Sequence, residues 1–166
     1  KSHLASLNLG KNPPQITFAT SDLNRLPHTM TSTCPLCRAV DEDILYATDL
    51  YRIILVNDPA WPGFCRVILN HHAAEMTDLP IEQRSALMMA VCVTESALRD
   101  LMAPTKINLA SLGNVVPHVH WHVTPRWSDD SHFPDPIWAN QKRAWPNKPV
   151  IDRAALIMRL RACLDA

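Results

Sequence analysis

The chain has 166 residues, 47% of them hydrophobic, with 16 basic and 16 acidic side chains that cancel to a formal charge of zero. That length suits one domain with a substantial core. The absence of a one-sided field argues against nucleic acid or an anionic membrane surface as partner. No apolar run approaches a membrane span, and the first residues lack the apolar stretch of a secretory signal, so the expectation is a cytoplasmic protein.

Residues 1–30 have no helical or strand period and carry Asn-Pro-Pro and Leu-Pro breakers. They read as a loosely structured extension, with Met30 a plausible native start, and residues 31–166 as the domain. Ile44 to Ala47 and Tyr51 to Val56 are β-prone runs separated by Thr48-Asp49, which predicts a hairpin. The loop Asn57-Asp58-Pro59-Ala60-Trp61-Pro62-Gly63 leads to a third strand, Cys65 to Leu69. Ile81, Leu87, Met88, Val91, Leu98, Leu101 and Met102 then fall mostly at three- and four-residue steps. Their spacing predicts a helix of about six turns from Pro80, with Asp78 as its cap and methionines as core filler.

Lys106 to Leu112 and His118 to Thr124 read as two further strands. Residues 128–149 are rich in Pro, Trp and Asp and should be irregular, and a last helix from Asp152 should bury Leu156, Leu160, Cys163 and Leu164. This order predicts an α+β fold: an antiparallel sheet of about five strands with a long central helix and a C-terminal helix. Only three glycines occur, at 10, 63 and 113, so each is expected where the backbone needs it. Five cysteines are an odd number, and Cys65 and Cys92 read as small hydrophobes, so a disulfide framework is not expected.

The most informative segment is His118-Val119-His120-Trp121-His122-Val123-Thr124. Strand alternation sets the three imidazoles in a row above Val119, Trp121 and Val123. Imidazole has an unperturbed pKa of about 6.5, so such a row suits nucleophilic chemistry or metal binding at neutral pH. A chance polar strand face or an affinity-tag fragment would not explain the interleaved Trp121 and flanking prolines. A catalytic metal usually recruits a carboxylate as well, and Thr124 to Trp127 offer none.

This segment resembles the His-φ-His-φ-His-φ-φ signature of the histidine triad (HIT) superfamily of nucleotide hydrolases and transferases. The resemblance runs from Cys34 to about Arg126 and is nearest to small bacterial members that open with Cys-x-x-Cys, often described as dinucleoside polyphosphate hydrolases. It implies that His120 is the nucleophile attacking an α-phosphorus, and that a nucleotidyl-histidine forms and is hydrolysed by water. It implies that His122 contacts the phosphate, that Asn108 and Asn114 donate to phosphate oxygens, and that Asn57 or Asp58 meets the ribose. A turn-forming role is the alternative for these loop residues. Phe64 stands where many relatives carry a fourth histidine.

The resemblance further implies a structural zinc held by Cys34, Cys37, His72 and His118; an empty or redox-active thiol pair is the alternative. His71 is one position off that pattern. Homodimerisation is also implied, with Trp127, Phe133 and Trp138 covering the base, the subunit boundary or simply packing. Two other functions compete: a zinc-stabilised nucleotide sensor with little turnover, kept alive by Phe64 and Asn114, and a metal-dependent hydrolase using the histidine row as ligands.

Overall fold

The computed structural model describes residues 33–166; the expected N-terminal extension lies outside the described residues. The chain folds as α1 (Pro35–Arg38), β1 (Asp43–Ala47), β2 (Tyr51–Leu55), β3 (Cys65–Leu69), α2 (Ile81–Met102), β4 (Lys106–Ser111), β5 (His120–Arg126) and α3 (Arg153–Leu164), with a 3-10 turn at Met76–Asp78. The five strands form one antiparallel sheet in the order β1-β2-β3-β5-β4. This is the expected α+β architecture.

Alternation along the strands separates two faces. Tyr51, Ile53, Leu55, Cys65, Val67, Leu69, Val119 and Val123 join the main core with Leu87, Val91 and Leu98 of α2 and Leu156 and Leu160 of α3. Fully burying one such side chain contributes about 1.5–3 kcal/mol, so this helix-covered face anchors the domain. The opposite face carries Arg52, Ile54, Arg66, Ile68, His120, His122 and Asn108, in register across β2, β3, β5 and β4. The core thus supports a polar face from behind.

Several local expectations need correction. Asp78 does not cap α2, whose N-cap is Pro80 without a side-chain bond. Asp78 instead closes a reciprocal box with Glu75 across the preceding 3-10 turn. Cys163 and Cys92 are exposed, whereas Cys65 is fully buried. Ile81, at the solvent-facing start of α2, is also exposed, as is Met89. The last helix does begin at Asp152, whose carboxylate accepts from the Ala155 amide at 3.0 Å.

The glycine expectation holds at one described position. Gly63 has φ +74°, and a Cβ there would run into the Met102 thioether and approach Pro125. Gly113 has room for a side chain, so it is not required for space. Residues 127–152 contain no helix or strand, as their composition suggested.

Candidate active site and metal centre

β5 begins at His120, so His118 sits just before the strand and its ring turns away from the other two. His118 is buried, with Nδ1 at 3.4 Å from the Cys34 Sγ and 3.5 Å from the Cys37 Sγ. The Cys37 Sγ is 3.4 Å from Nδ1 of His72. Ligand atoms of Cys34, Cys37, His72 and His118 all lie within 4.8 Å of one another. Zinc bonds of about 2.3 Å to sulfur and about 2.0 Å to nitrogen at tetrahedral angles put S and N about 3.5 Å apart. The observed spacing therefore fits a four-ligand metal ion.

Local structure prepares this cluster. Cys34 precedes Pro35, which starts the one-turn α1 and brings Cys37 round beside Cys34, with the Cys37 and Arg38 amides donating to the Cys34 carbonyl. His118 donates Nε2–H to the Leu69 carbonyl at 2.7 Å, leaving Nδ1 unprotonated toward the thiols. His72, and not His71, joins the group. Four protein ligands leave no open position, so a metal here would act structurally.

His120, which is buried, and His122, which is half-buried, lie on the sheet face opposite the main core, with ring centroids 5.1 Å apart. His120 Nδ1 lies 2.7 Å from the backbone carbonyl of His118. A carbonyl only accepts, so Nδ1 carries the hydrogen and Nε2 keeps its lone pair. Burial, with Arg66 nearby, holds the His120 pKa below its ordinary value, opposed by that backbone bond. His120 is thus a neutral imidazole of set tautomer.

His122 packs against Phe64, edge to face at 5.2 Å. Burial, then the Arg66 and His120 charges, push its pKa down to about 4. Both its ring nitrogens are buried without a hydrogen-bond partner among the described residues. Of the three triad imidazoles, His118 joins the metal-ligand group with Cys34, Cys37 and His72, and His120 and His122 belong to no such group among the described residues.

Asn108 lies on this face opposite Thr124, two residues along β5 from His122. Its Oδ1 accepts from Arg126 at 2.8 Å, so its NH2 group is left free to donate elsewhere. Asn114 is exposed and lines a cavity of about 520 Å³ with Glu75, His118 and Trp121. Its side chain forms no hydrogen bond with the triad. Asn57 and Asp58 line a separate 290 Å³ cavity with Trp61 and Ile151. Asp58 also accepts from the Ala60 amide at 2.8 Å, the turn-forming role.

The aromatic residues divide similarly. Trp127 packs on Trp145 at 5.5 Å, and Phe133 lies 5.9 Å from the Arg126 guanidinium. Trp138 is 61% exposed, beside Asn108 in a cavity of about 550 Å³.

Sequence reasoning overlooked three arginines on this face. Arg52 makes a two-pronged ion pair with Glu42 and donates to the Leu36 carbonyl inside the thiol turn at 2.7 Å. Arg126 does the same with Asp130, and Arg66 lies across from His122. A charged residue inside the apolar strands Tyr51–Leu55 and Cys65–Leu69 was the available signal.

The HIT domain family model matches residues 38–129, more than half of the chain. No curated protein matches the sequence. Among solved structures, a histidine triad protein from Marinobacter aquaeolei is 26% identical, with a TM-score of 0.59 over 76% of this chain and 91% of that one. One from Bradyrhizobium japonicum is 25% identical, with a TM-score of 0.57 over 74% and 91%. A hypothetical histidine triad nucleotide-binding protein from Sulfolobus tokodaii, 18% identical with a TM-score of 0.55 over 80% and 92%, shares the fold. With three histidines spaced as the signature requires and a match across β1 to β5, this chain belongs to the HIT domain family.

Proposed function

We propose that this protein is a nucleotide hydrolase that cleaves at the α-phosphate of dinucleoside polyphosphates or nucleoside phosphoramidates through a nucleotidyl-His120 intermediate. The observation that carries the reading is the 2.7 Å bond from His120 Nδ1 to the His118 carbonyl, which presents an unprotonated Nε2. That nitrogen bonds to phosphorus as the bond to the leaving group breaks, and the leaving group takes the electron pair. Water then cleaves the P–N bond, releasing the nucleoside monophosphate. Asn108, whose Oδ1 accepts from Arg126, donates its NH2 to a phosphate oxygen in this reading.

In this reading zinc occupies Cys34, Cys37, His72 and His118 and ties the N-terminal turn to the sheet, as the ligand spacing supports. The protein works in a reducing cytoplasm, consistent with its free thiols. It works as a homodimer through the open edge of β4, where Leu109 and the following Leu112 are exposed. A nucleotide sensor with little turnover is the second reading, favoured by the Phe64 ring against His122 where a proton donor would be useful.

Incubation of the parent and His120→Ala with diadenosine tetraphosphate and with an AMP phosphoramidate separates these readings. AMP release by the parent alone, with adenylate on the His120 peptide, supports the hydrolase. Saturable nucleotide binding with neither AMP nor adduct supports the sensor.

A further inference from the structure

Three arginines point to the histidine face from within or at the end of strands, and two are already committed. Arg52 is held by both oxygens of Glu42, and Arg126 by both oxygens of Asp130. Arg66 forms no hydrogen bond or ion pair with any described residue, and its Nε is buried without a partner. Its guanidinium carbon lies 5.5 Å from the centre of the Phe64 ring, and its Cα pairs with that of His122. Phe64 therefore supports both the cation and the third triad histidine.

A half-buried guanidinium without a counter-ion is an unfavourable arrangement unless an anion completes it. Burial lowers the Arg66 pKa, with the Glu42 charge opposing, yet guanidinium stays protonated in proteins. Arg66 is thus a standing positive charge beside Phe64 and His122. We propose that Arg66 binds the anionic phosphates of a polyphosphate leaving group, and so directs the site toward phosphoanhydrides over phosphoramidates.

The direction of attack places it on the leaving-group side. Because His120 Nδ1 turns back to the His118 carbonyl, Nε2 faces away from that carbonyl, and the neighbours of the His120 ring on this face include His122 and the Arg66 charge. In-line displacement sends the leaving group out on the far side of phosphorus from Nε2. As the Nε2–P bond forms, the bridging P–O bond breaks and its electron pair leaves on the nucleoside polyphosphate. Arg66 offsets that charge, so no proton is needed in this step. Water then breaks the P–N bond and yields nucleoside monophosphate, neutral imidazole and one proton. An amine leaving group carries no such charge and gains nothing from Arg66.

This inference rests on the hydrolase reading for its kinetics but not for its binding. The test compares the parent with Arg66→Gln and Arg66→Lys, using kcat/KM on diadenosine tetraphosphate and on an AMP phosphoramidate, and calorimetric titration with inorganic tripolyphosphate. Loss of a charge-assisted phosphate contact predicts a fall of about 10- to 100-fold on the tetraphosphate in Arg66→Gln. The phosphoramidate rate should stay within about threefold, and Arg66→Lys should recover part of the loss. Tripolyphosphate affinity should fall at least about tenfold in Arg66→Gln. Equal losses on both substrates, or unchanged tripolyphosphate affinity, overturn the proposal. If the parent turns over neither substrate, the hydrolase reading fails, and the tripolyphosphate titration alone decides the role of Arg66. Should Arg66→Gln not fold, Arg66→Lys carries the test, with a smaller loss of the same selectivity expected and equal losses overturning it.

Discussion

The backbone carbonyl of His118 accepts the Nδ1 hydrogen of His120 at 2.7 Å, while the His118 ring places its own Nδ1 between the thiols of Cys34 and Cys37. One residue therefore serves two sites. Its side chain belongs to the metal-ligand group, and its main chain fixes the tautomer of the neighbouring imidazole.

Replacement of His120, the proposed nucleophile, gives the sharpest kinetic outcome. His120→Ala should lower kcat by roughly a thousandfold or more and abolish the covalent adduct. His122→Ala should retain a detectable adduct at His120, because the Nδ1 bond to the His118 carbonyl does not depend on it. Quenched single-turnover samples, analysed by peptide mass, distinguish the two variants. An adduct on any other histidine would displace His120 from its role.

Metal analysis tests the thiol cluster independently of catalysis. Purified protein should contain one zinc per chain, and Cys37→Ser should contain clearly less, since only three ligands would remain. Chelation should lower the melting temperature of the parent, because metal bound only by the folded state adds to its stability. A parent without zinc whose melting temperature ignores both chelator and added zinc would leave the thiol pair as an empty site.

His122 makes the expected pH dependence explicit. Its imidazole titrates at about 4 in the folded chain, against an ordinary value of 6.5. Below 6.5 the unfolded chain takes up a proton that the folded chain refuses, so this residue's contribution to stability is complete above that pH. The contribution is lost as pH falls from 6.5 toward about 4, with no further loss below. NMR titration should give a His122 midpoint below 5, as its shift to about 4 implies. A midpoint near the ordinary value would show that the ring is not desolvated against Phe64.

The strands and the two long helices were legible because their signals are local. Alternating β-branched residues and three- and four-residue apolar steps depend only on neighbours in the chain. His72 and His118 were assigned to the cluster with Cys34 and Cys37 through family resemblance, and the folded chain does bring these four together. The ion pairs were not legible. Glu42 and Arg52 meet because the β1–β2 hairpin folds one over the other, and nothing in the local pattern marks Arg66 as unpaired. Asp78 misled for a related reason: a good cap residue was used by the 3-10 turn just before the helix.

Gly63 combines a positive φ with a crowded Cβ position, so both backbone strain and overlap oppose a side chain. Gly63→Ala should cost about 1–3 kcal/mol. The same substitution at Gly113 should cost less, since its surroundings are open. Urea denaturation of the two variants checks the contrast. Equal effects would mean that Met102 yields and the turn tolerates Ala.

Arg126 and Asp130 are 1% and 0% exposed, and each is almost wholly consumed by its bonds. Burial pushes the Asp130 carboxyl up, but Arg126 and the His132 and Phe133 amides outweigh it and hold it below the usual carboxylate range. Arg126 also binds the Asn108 carbonyl oxygen and the Asp135 backbone carbonyl. Arg126→Met would leave a buried carboxylate with its amides only, which should cost about 3–5 kcal/mol. It would also release the Asn108 amide, whose NH2 is presented to the open face only because a guanidinium cannot accept. The double variant Arg126→Met/Asp130→Asn should recover at least about 1 kcal/mol relative to the sum of the single changes, since the buried charge is gone. Its KM should nevertheless stay raised, because Asn108 would still be unrestrained. Recovery of stability together with a parental KM would show that the ion pair supports the loop alone and does not orient Asn108.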